Sequence, residues 1–336
     1  MCDRKDVKPI FLISQPRSGS TFLQSLLSSH SKIFSVSEPW LLLHELLPIT
    51  QLRYETDFDQ TEWKKAFENI ISLLPENEET YYCSVRKKIR YLFGRLIEGI
   101  DQDKYEHRDQ DEEANLRYYL DKTPRYYLIL DLIPRVFPDA KIIILKRNPL
   151  NVFCSIYNTW IREDWSKFSK YYFDLTLAIS KINQFLETTQ SNVHVLHYEK
   201  LKRHTDKEMA QIYGFLDLNI EQTNMEKGFD NIAGKHEHGD PYLLAGERKT
   251  NKVETTKWQQ EAENPVLCKL LRQYINLIGM DTINKFGYNI NLDNHSSKVL
   301  SQNGRAYDVR LEPLLKGGYQ VDSYLFRLRK KIMQFG

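Results

Sequence analysis

The chain has 336 residues, of which 41% are hydrophobic and 27% are charged, an ordinary globular mixture that excludes a fibrous, collagen-like or wholly disordered protein. Its 47 Lys and Arg residues against 45 Asp and Glu residues give a formal net charge of +2, which is too near neutral for a surface that coats nucleic acid. We therefore predict no nucleic-acid partner, and we expect any anion-binding site to be local.

Short apolar runs alternate with longer amphipathic segments, which is typical of parallel strands joined by crossover helices. The predicted fold class is α/β, with a P-loop-like parallel sheet of about five strands flanked by helices, helical insertions and a C-terminal tail. The predicted strands lie at 9–14, 33–37, 117–120, 141–146 and 192–197. The predicted helices lie at 20–29, 60–74, 79–99, 125–136, 149–160, 165–189, 205–216 and 265–279.

The segments outside this pattern determine the predicted domain organisation. Residues 1–290 are expected to form one domain, with insertions near 40–116 and 218–262. Within them, the acidic stretch 98–113 predicts an exposed loop and 218–262 predicts a long functional loop or lid. The tail 291–336 ends in a basic amphipathic helix. We expect this helix to pack on its own domain, while self-association and contact with a membrane surface or a partner are the alternatives.

Cysteine usage and the N-terminus indicate the compartment. The four cysteines lie far apart and form no CxxC pair, which argues against a zinc knuckle or a dense disulfide framework. The N-terminal stretch contains acidic residues and only a very short apolar run, unlike a signal peptide. No window approaches the roughly 18 uninterrupted apolar residues of a membrane span. We predict a soluble, cytoplasmic protein without a transmembrane segment.

A glycine turn between the first strand and the first helix predicts an anion-binding site. Residues 17–21 (RSGST) lie where the unpaired N–H groups and the dipole of the helix favour negative charge. The nucleotide-triphosphate P-loop requires a Lys after its last glycine. Here Ser20 follows Gly19, and the cation, Arg17, precedes the glycine. A serine-rich helix cap that binds no ligand would explain the serines but not the arginine.

Residues 15–23 (QPRSGSTFL) resemble the 5′-phosphosulfate loop of sulfotransferases that use 3′-phosphoadenosine 5′-phosphosulfate (PAPS). The arginine version of this loop occurs in the carbohydrate, tyrosylprotein and many bacterial branches of the family. The resemblance implies PAPS as co-substrate and its desulfated form, PAP, as product. It implies that PAPS is bound by Arg17, Ser18, Gly19, Ser20, Thr21 and Phe22.

Further segments resemble the same family, and the resemblance covers most of residues 8–260. Residues 142–157 resemble its 3′-phosphate element, which implies that Arg147 and Ser155 bind the 3′-phosphate. Residues 195–215 resemble a third segment of the family, in which a tyrosine commonly lies against the adenine nucleotide. The resemblance implies this role for Tyr198, and the alternative is that Tyr198 only packs in the protein interior. Arg248 and Lys249 resemble the basic stretch that closes over the 3′-phosphate.

Sulfuryl transfer requires a base near the acceptor proton and a cation near the bridging oxygen. The Lys-x-His element of the cytosolic branch is altered here, because Pro124 stands at the histidine position after Lys122. We predict Glu38 as the base, Lys122 beside the transferred sulfonate, and Arg17 as a further catalytic residue. The alternatives are that Glu38 caps the next helix and that Lys122 forms a salt bridge with Asp121 or Glu38.

The positions of these residues along the chain predict that they meet. Parallel sheets place their sites beyond the carboxyl ends of the strands. Arg17, Glu38, Lys122 and Arg147 each follow such an end, so we expect them on one rim. The cluster at 236–240 (HEHGD) lacks a distant partner ligand, and we predict no metal.

The predicted function is direct in-line transfer of a sulfonate group from PAPS to a hydroxyl or amine of a small-molecule acceptor, a natural product or metabolite. Three alternatives stay open at this point. They are a carbohydrate or protein-tyrosine acceptor, a P-loop-type nucleotide kinase, and a non-catalytic module that binds a nucleotide or another anion.

Overall fold

The computed structural model describes residues 7–50, 60–104, 116–188, 191–232, 257–291 and 310–316. Five strands form one sheet: β1 (Lys8–Ser14), β2 (Ile33–Ser37), β3 (Tyr118–Lys122), β4 (Lys141–Lys146) and β5 (Val193–His197). Every strand pair is parallel, and the order across the sheet is β2-β3-β1-β4-β5. The predicted α/β class with a five-stranded parallel sheet is therefore confirmed.

Helices connect and cover these strands. The α-helices are α1 (Ser20–Ser28), α2 (Leu41–Leu46), α3 (Gln60–Leu73), α4 (Glu78–Lys104), α5 (Ile133–Val136), α6 (Pro149–Ile156), α7 (Tyr172–Thr188), α8 (Tyr198–Arg203), α9 (Thr205–Phe215), α10 (Met225–Asp230), α11 (Lys257–Glu261), α12 (Pro265–Ile278), α13 (Met280–Lys285) and α14 (Leu311–Leu315). In the described ranges, 3-10 helices lie at Leu47–Ile49, Pro124–Ile129 and Trp165–Tyr171, and a π-helical turn at Tyr157–Ile161.

Both faces of the sheet are buried, which explains why its strands are continuous apolar runs. In β1, Ile10 and Leu12 pack into the cluster that includes residues of α1 and α9, whereas Phe11 and Ile13 pack into the cluster on the opposite face with α4 and α7. This alternation follows the two-residue period of a strand. The sheet is therefore the central layer of three.

The structure departs from the predicted elements at several places. The predicted helix 149–160 passes into the π-helical turn Tyr157–Ile161, and the predicted helix 165–189 begins as the 3-10 helix Trp165–Tyr171. Within the predicted loop 218–262, Met225–Asp230 and Lys257–Glu261 are helical. The segment 125–136 is a 3-10 helix and a separate single turn, α5, rather than one helix. Pro134 lies in the first turn of α5, and its missing N–H would break a continuous helix. The expectation of a loop at 98–113 is wrong for 98–104, which continues α4. Just before this stretch, Ile97 is 1% exposed and packs α4 against the core. Residues 105–113 lie outside the described residues.

Part of the predicted tail packs on the domain. Leu311, Leu314 and Leu315 of α14 are buried in the cluster formed with α6 and α12. The basic segment beyond residue 316 lies outside the described residues. Within the part of the chain that the structure describes, no helix combines the length and apolar character needed to cross a membrane.

Candidate active site

The loop after β1 has the backbone geometry of an anion site. Arg17 and Gly19 both adopt left-handed conformations, with φ of 67° and 88°. Gly19 is the N-cap residue of α1, and no side chain caps the helix at that position. The first N–H groups of a helix have no partner within it, so those of α1 are available to an anion at this turn.

One close contact and one buried hydroxyl characterise this loop. A Cβ atom at residue 19 would overlap the ring of Tyr198, so the close approach of this ring requires glycine. Ser18 is 1% exposed, and its hydroxyl oxygen finds no hydrogen-bond partner among the described residues. A buried hydroxyl without a partner is costly in a folded protein, and a bound anion would satisfy it.

The residues predicted to bind the 3′-phosphate meet at Arg17. Arg147 Nη1 donates to the Arg17 carbonyl oxygen at 2.7 Å, and Arg17 Nε donates to the Ser155 hydroxyl at 3.3 Å. The Arg147 guanidinium also lies 4.7 Å from the centre of the Tyr198 ring, within the range of a cation–π interaction. Burial lowers the pKa of Arg147, and its buried Nε has no partner among the described residues. A phosphate oxygen would provide that partner.

The second pair of predicted residues lies on the neighbouring strands. Lys122 Nζ donates to a Glu38 carboxylate oxygen at 2.6 Å and approaches the Thr21 hydroxyl at 3.4 Å. The Lys122 side chain is 1% exposed and that of Glu38 is 17% exposed. The helix α2 begins only at Leu41, and the Glu38 carboxylate binds Lys122. The structure thus brings Arg17, Glu38, Lys122 and Arg147 to one edge of the sheet.

A buried network that the sequence reasoning missed holds the segment after Glu38. The Asp121 carboxylate is 0% exposed and accepts hydrogen bonds from the Thr123 hydroxyl at 3.0 Å and the Tyr126 hydroxyl at 2.8 Å. These hydroxyls accept in turn from the backbone N–H groups of Trp40 and Leu42, each at 3.2 Å. The start of α2 is therefore tied to the end of β3, which carries Lys122.

Burial sets the ionisation of Asp121. Loss of hydration raises its pKa from 3.8 to about 7, and the charge of Glu38 adds to this effect. The hydrogen bonds from Tyr126 and Thr123 and the charge of Lys122 oppose the shift without cancelling it. The signal in the sequence was the run 121–126 (DKTPRY), in which an acid near the end of a strand is followed by two hydroxyl residues.

A second missed network supports the strand-to-loop transition of β1. The Asp174 side chain, 1% exposed, accepts from Arg125 Nη2 at 2.7 Å and from the Tyr127 hydroxyl at 2.6 Å. Its backbone oxygen accepts from Gln15 Nε2 at 3.0 Å. The Arg125 guanidinium lies 5.7 Å from the centre of the Trp40 ring. These contacts connect the anion loop, α7 and the residue two positions after Glu38.

Not all of the predicted residues fall within the described part of the chain. Arg248 and Lys249 lie outside the described residues, as does the cluster at 236–240. Among the residues that the structure does describe, no group of three His, Cys, Asp or Glu side chains is arranged to hold a metal ion. Phe22, at the end of the loop motif, is partly buried, and its ring lies 4.3 Å from Lys202 Nζ.

Comparison with known proteins gives a family match over residues 9–222, to the Sulfotransferase family. Nodulation protein NoeE of Sinorhizobium fredii (strain NBRC 101917 / NGR234) is 24% identical over 344 residues, covering 91% of this chain and 73% of that protein.

Solved structures similar to this chain include two sulfotransferases. The sulfotransferase domain from the Synechococcus PCC 7002 olefin synthase has a TM-score of 0.49 at 23% identity, covering 86% of this chain and 98% of that one. Mouse sulfotransferase SULT7A1 complexed with PAP has a TM-score of 0.44 at 15% identity, covering 83% of this chain and 87% of that one.

Proposed function

Because the chain belongs to the sulfotransferase family, we propose that it transfers a sulfonate group from PAPS directly to a hydroxyl or amine of a small-molecule acceptor. The observation that carries this proposal is the position of the Lys122 ammonium. It lies 2.6 Å from the Glu38 carboxylate and 3.4 Å from the Thr21 hydroxyl of the anion loop. A buried cation thus stands between an anion site and a carboxylate, which suits transfer of an anionic group to an acceptor that must lose a proton.

The contacts around the anion loop support a nucleotide that carries both a 5′- and a 3′-phosphate group. In the proposal, residues 17–22 bind the 5′-phosphosulfate through the loop and the first turn of α1. Arg147 and Ser155 bind the 3′-phosphate. Ser155 accepts from Arg17 but keeps its own O–H for donation. Tyr198, packed over Gly19 and against Arg147, lies beside the nucleotide. We extend the proposal to Arg248 and Lys249 as further 3′-phosphate contacts.

Glu38 and Lys122 divide the proposed chemistry between them. Glu38 takes the proton of the attacking hydroxyl or amine, while the acceptor oxygen or nitrogen forms its bond to sulfur. The bond between sulfur and the 5′-phosphate oxygen breaks, and PAP leaves with the electron pair. Lys122 stabilises the negative charge on the sulfonate oxygens, and Arg17 the charge that develops on the phosphate. The reaction therefore needs only PAPS and the acceptor as reactants. In the proposal, residues 1–290 form the catalytic domain.

The proposal is tested with purified protein, PAPS labelled in its sulfonate group and a panel of hydroxyl and amine acceptors. We expect label on at least one acceptor and PAP binding measurable by calorimetry. Absence of both would overturn the proposal. ATP with magnesium, tested in parallel, examines the kinase alternative, for which the residue after the loop glycine, Ser20, is unsuitable.

A charge-removing substitution separates an enzyme from a binding module. Glu38→Gln should lower kcat about 100- to 10,000-fold because the general base is lost. PAP affinity should stay close to the wild-type value. Glu45→Gln is the matched control, since Glu45 also pairs with a lysine, Lys88, at 2.6 Å but is not one of the proposed site residues. Unchanged turnover in Glu38→Gln would remove Glu38 from its proposed role.

A further inference from the structure

The helix that carries Ser155 changes its geometry one residue later. α6 ends at Ile156 and continues directly into the π-helical turn Tyr157–Ile161. The N–H group of Arg162 donates to the Tyr157 carbonyl oxygen at 2.7 Å, the i→i+5 bond of a π-helix. Such turns add one residue to a helical turn and occur frequently at functional sites.

The added residue places Trp160 on the same side of the helix as Ser155. In a regular α-helix, residues five apart point about 140° away from each other. In this structure both contact one side chain: Ser155 accepts from Arg17 Nε at 3.3 Å, and the Trp160 ring centre lies 5.3 Å from the Arg17 guanidinium carbon. The π-turn is therefore what allows two residues of one helix to meet at Arg17.

Trp160 is itself held in place. Its ring stacks on that of Tyr171, with 4.9 Å between the centres and 8° between the planes. Tyr171 is 8% exposed at the end of the 3-10 helix Trp165–Tyr171. The contact that Arg17 makes is thus with a fixed ring. Because the Arg17 carbonyl oxygen accepts from Arg147, both ends of Arg17 are constrained.

We propose that Trp160 is a positioning residue that orients the Arg17 guanidinium toward the 5′ end of the nucleotide. The π-turn brings Trp160 into contact with Arg17. The inference rests on the proposed function, in which Arg17 binds the 5′-phosphosulfate. The indole ring is the strongest cation–π partner among the aromatic side chains, and it restricts the guanidinium without neutralising its charge.

The test compares two nucleotides by calorimetry, PAP and adenosine 3′-phosphate, which lacks the 5′-phosphate. Trp160→Ala should raise the Kd for PAP about 3- to 10-fold and leave the Kd for adenosine 3′-phosphate unchanged. Trp160→Phe should restore most of the PAP affinity, because it keeps a ring. Trp160→Leu, which keeps apolar bulk without a ring, should bind PAP as weakly as Trp160→Ala.

Matched controls make the outcomes decisive. Phe173→Ala removes a nearby aromatic ring that is 40% exposed, and it should change neither Kd. An equal loss of affinity for both nucleotides in Trp160→Ala would show that Trp160 has a merely structural role. Wild-type PAP affinity in Trp160→Leu would show that the ring is not needed. Either result overturns the inference. Wild-type protein that binds neither nucleotide would instead overturn the proposed function.

Discussion

The ammonium nitrogen of Lys122 lies 2.6 Å from a carboxylate oxygen of Glu38, although 84 residues separate them along the chain. The register of the sheet makes the pair, because Ser37 of β2 and Lys122 of β3 are parallel partners and Glu38 follows Ser37. The pair joins the proposed general base to a buried cation. The hydrogen bond fixes the position of the Glu38 carboxylate beside the ammonium group of Lys122.

Lys122→Met should lower kcat about 100- to 1,000-fold, because a preorganised cation facing the transferred sulfonate is lost while the volume of the side chain is kept. PAP carries no sulfonate, so its Kd should change by less than about 3-fold. Steady-state kinetics and calorimetry measure the two quantities. Lys88→Met, at the exposed pair with Glu45, is the control. A similar loss in PAP affinity and in kcat would contradict the placement of Lys122 at the sulfonate.

Gly19→Ala should destabilise the protein by about 1–3 kcal/mol and abolish measurable PAP binding. Residue 19 has a φ of 88°, which strains any L side chain, and the new Cβ would displace the Tyr198 ring. Urea unfolding and calorimetry give the two values. Gly214→Ala is the control, because Gly214 lies in α9 with open space around it. Gly214→Ala should raise the free energy of unfolding by up to about 1 kcal/mol.

Asp121 should make stability fall as pH rises from about 5 to 7. Its pKa is raised from 3.8 to about 7, so the folded protein binds a proton in this range that the unfolded chain has lost. Stability therefore decreases by roughly 1.4 kcal/mol per pH unit in this window and levels off above it.

The measurement for Asp121 is urea unfolding of wild type and Asp121→Asn at pH 5, 6, 7 and 8. Every other titrating group is common to the two proteins, so the difference between their free energies of unfolding isolates this carboxyl. We expect wild type to lose stability relative to the variant by about 2–3 kcal/mol between pH 5 and 7. Parallel curves would show that the pKa of Asp121 is not raised.

Asp174→Ala should cost about 3–5 kcal/mol of the free energy of unfolding, because it removes one partner of a buried ion pair and leaves the Tyr127 hydroxyl without its acceptor. Chemical denaturation measures the loss. The matched control is Asp139→Ala, whose two-bond pair with Arg90 has side chains 40% and 35% exposed and should contribute about 1 kcal/mol or less. Equal losses in the free energy of unfolding for Asp174→Ala and Asp139→Ala would contradict the difference that burial predicts.

Parts of the site were predictable because they depend on local patterns. The run 9–14 is apolar enough to be a buried strand, and the arginine and glycine after it predict an anion loop. β2 and β4 have the predicted bounds, whereas β3 continues to Lys122, because it pairs with β2 through Ser37. A strand end that depends on its neighbour is set by the sheet and not by its own residues.

Other parts depend on contacts that no local pattern contains. Asp121 and Trp40 meet through Thr123 only because β2 and β3 are neighbours in the sheet. Trp160 reaches Arg17 only because α6 passes into a π-turn, a change of one residue per turn that a regular helical period does not predict.

The amino-acid sequence by itself determined the alternation of strands and helices, the anion loop and the strand ends at which cations and carboxylates stand. These follow from hydrophobic periodicity and from the conformational freedom of glycine, which act over a few residues. Only the tertiary structure decided that Glu38 pairs with Lys122, that Arg147 holds the carbonyl of Arg17, and that Asp121 is buried. The reason is physical: strand order, register and burial arise from packing between segments far apart in sequence, and it is packing that sets distances and pKa values.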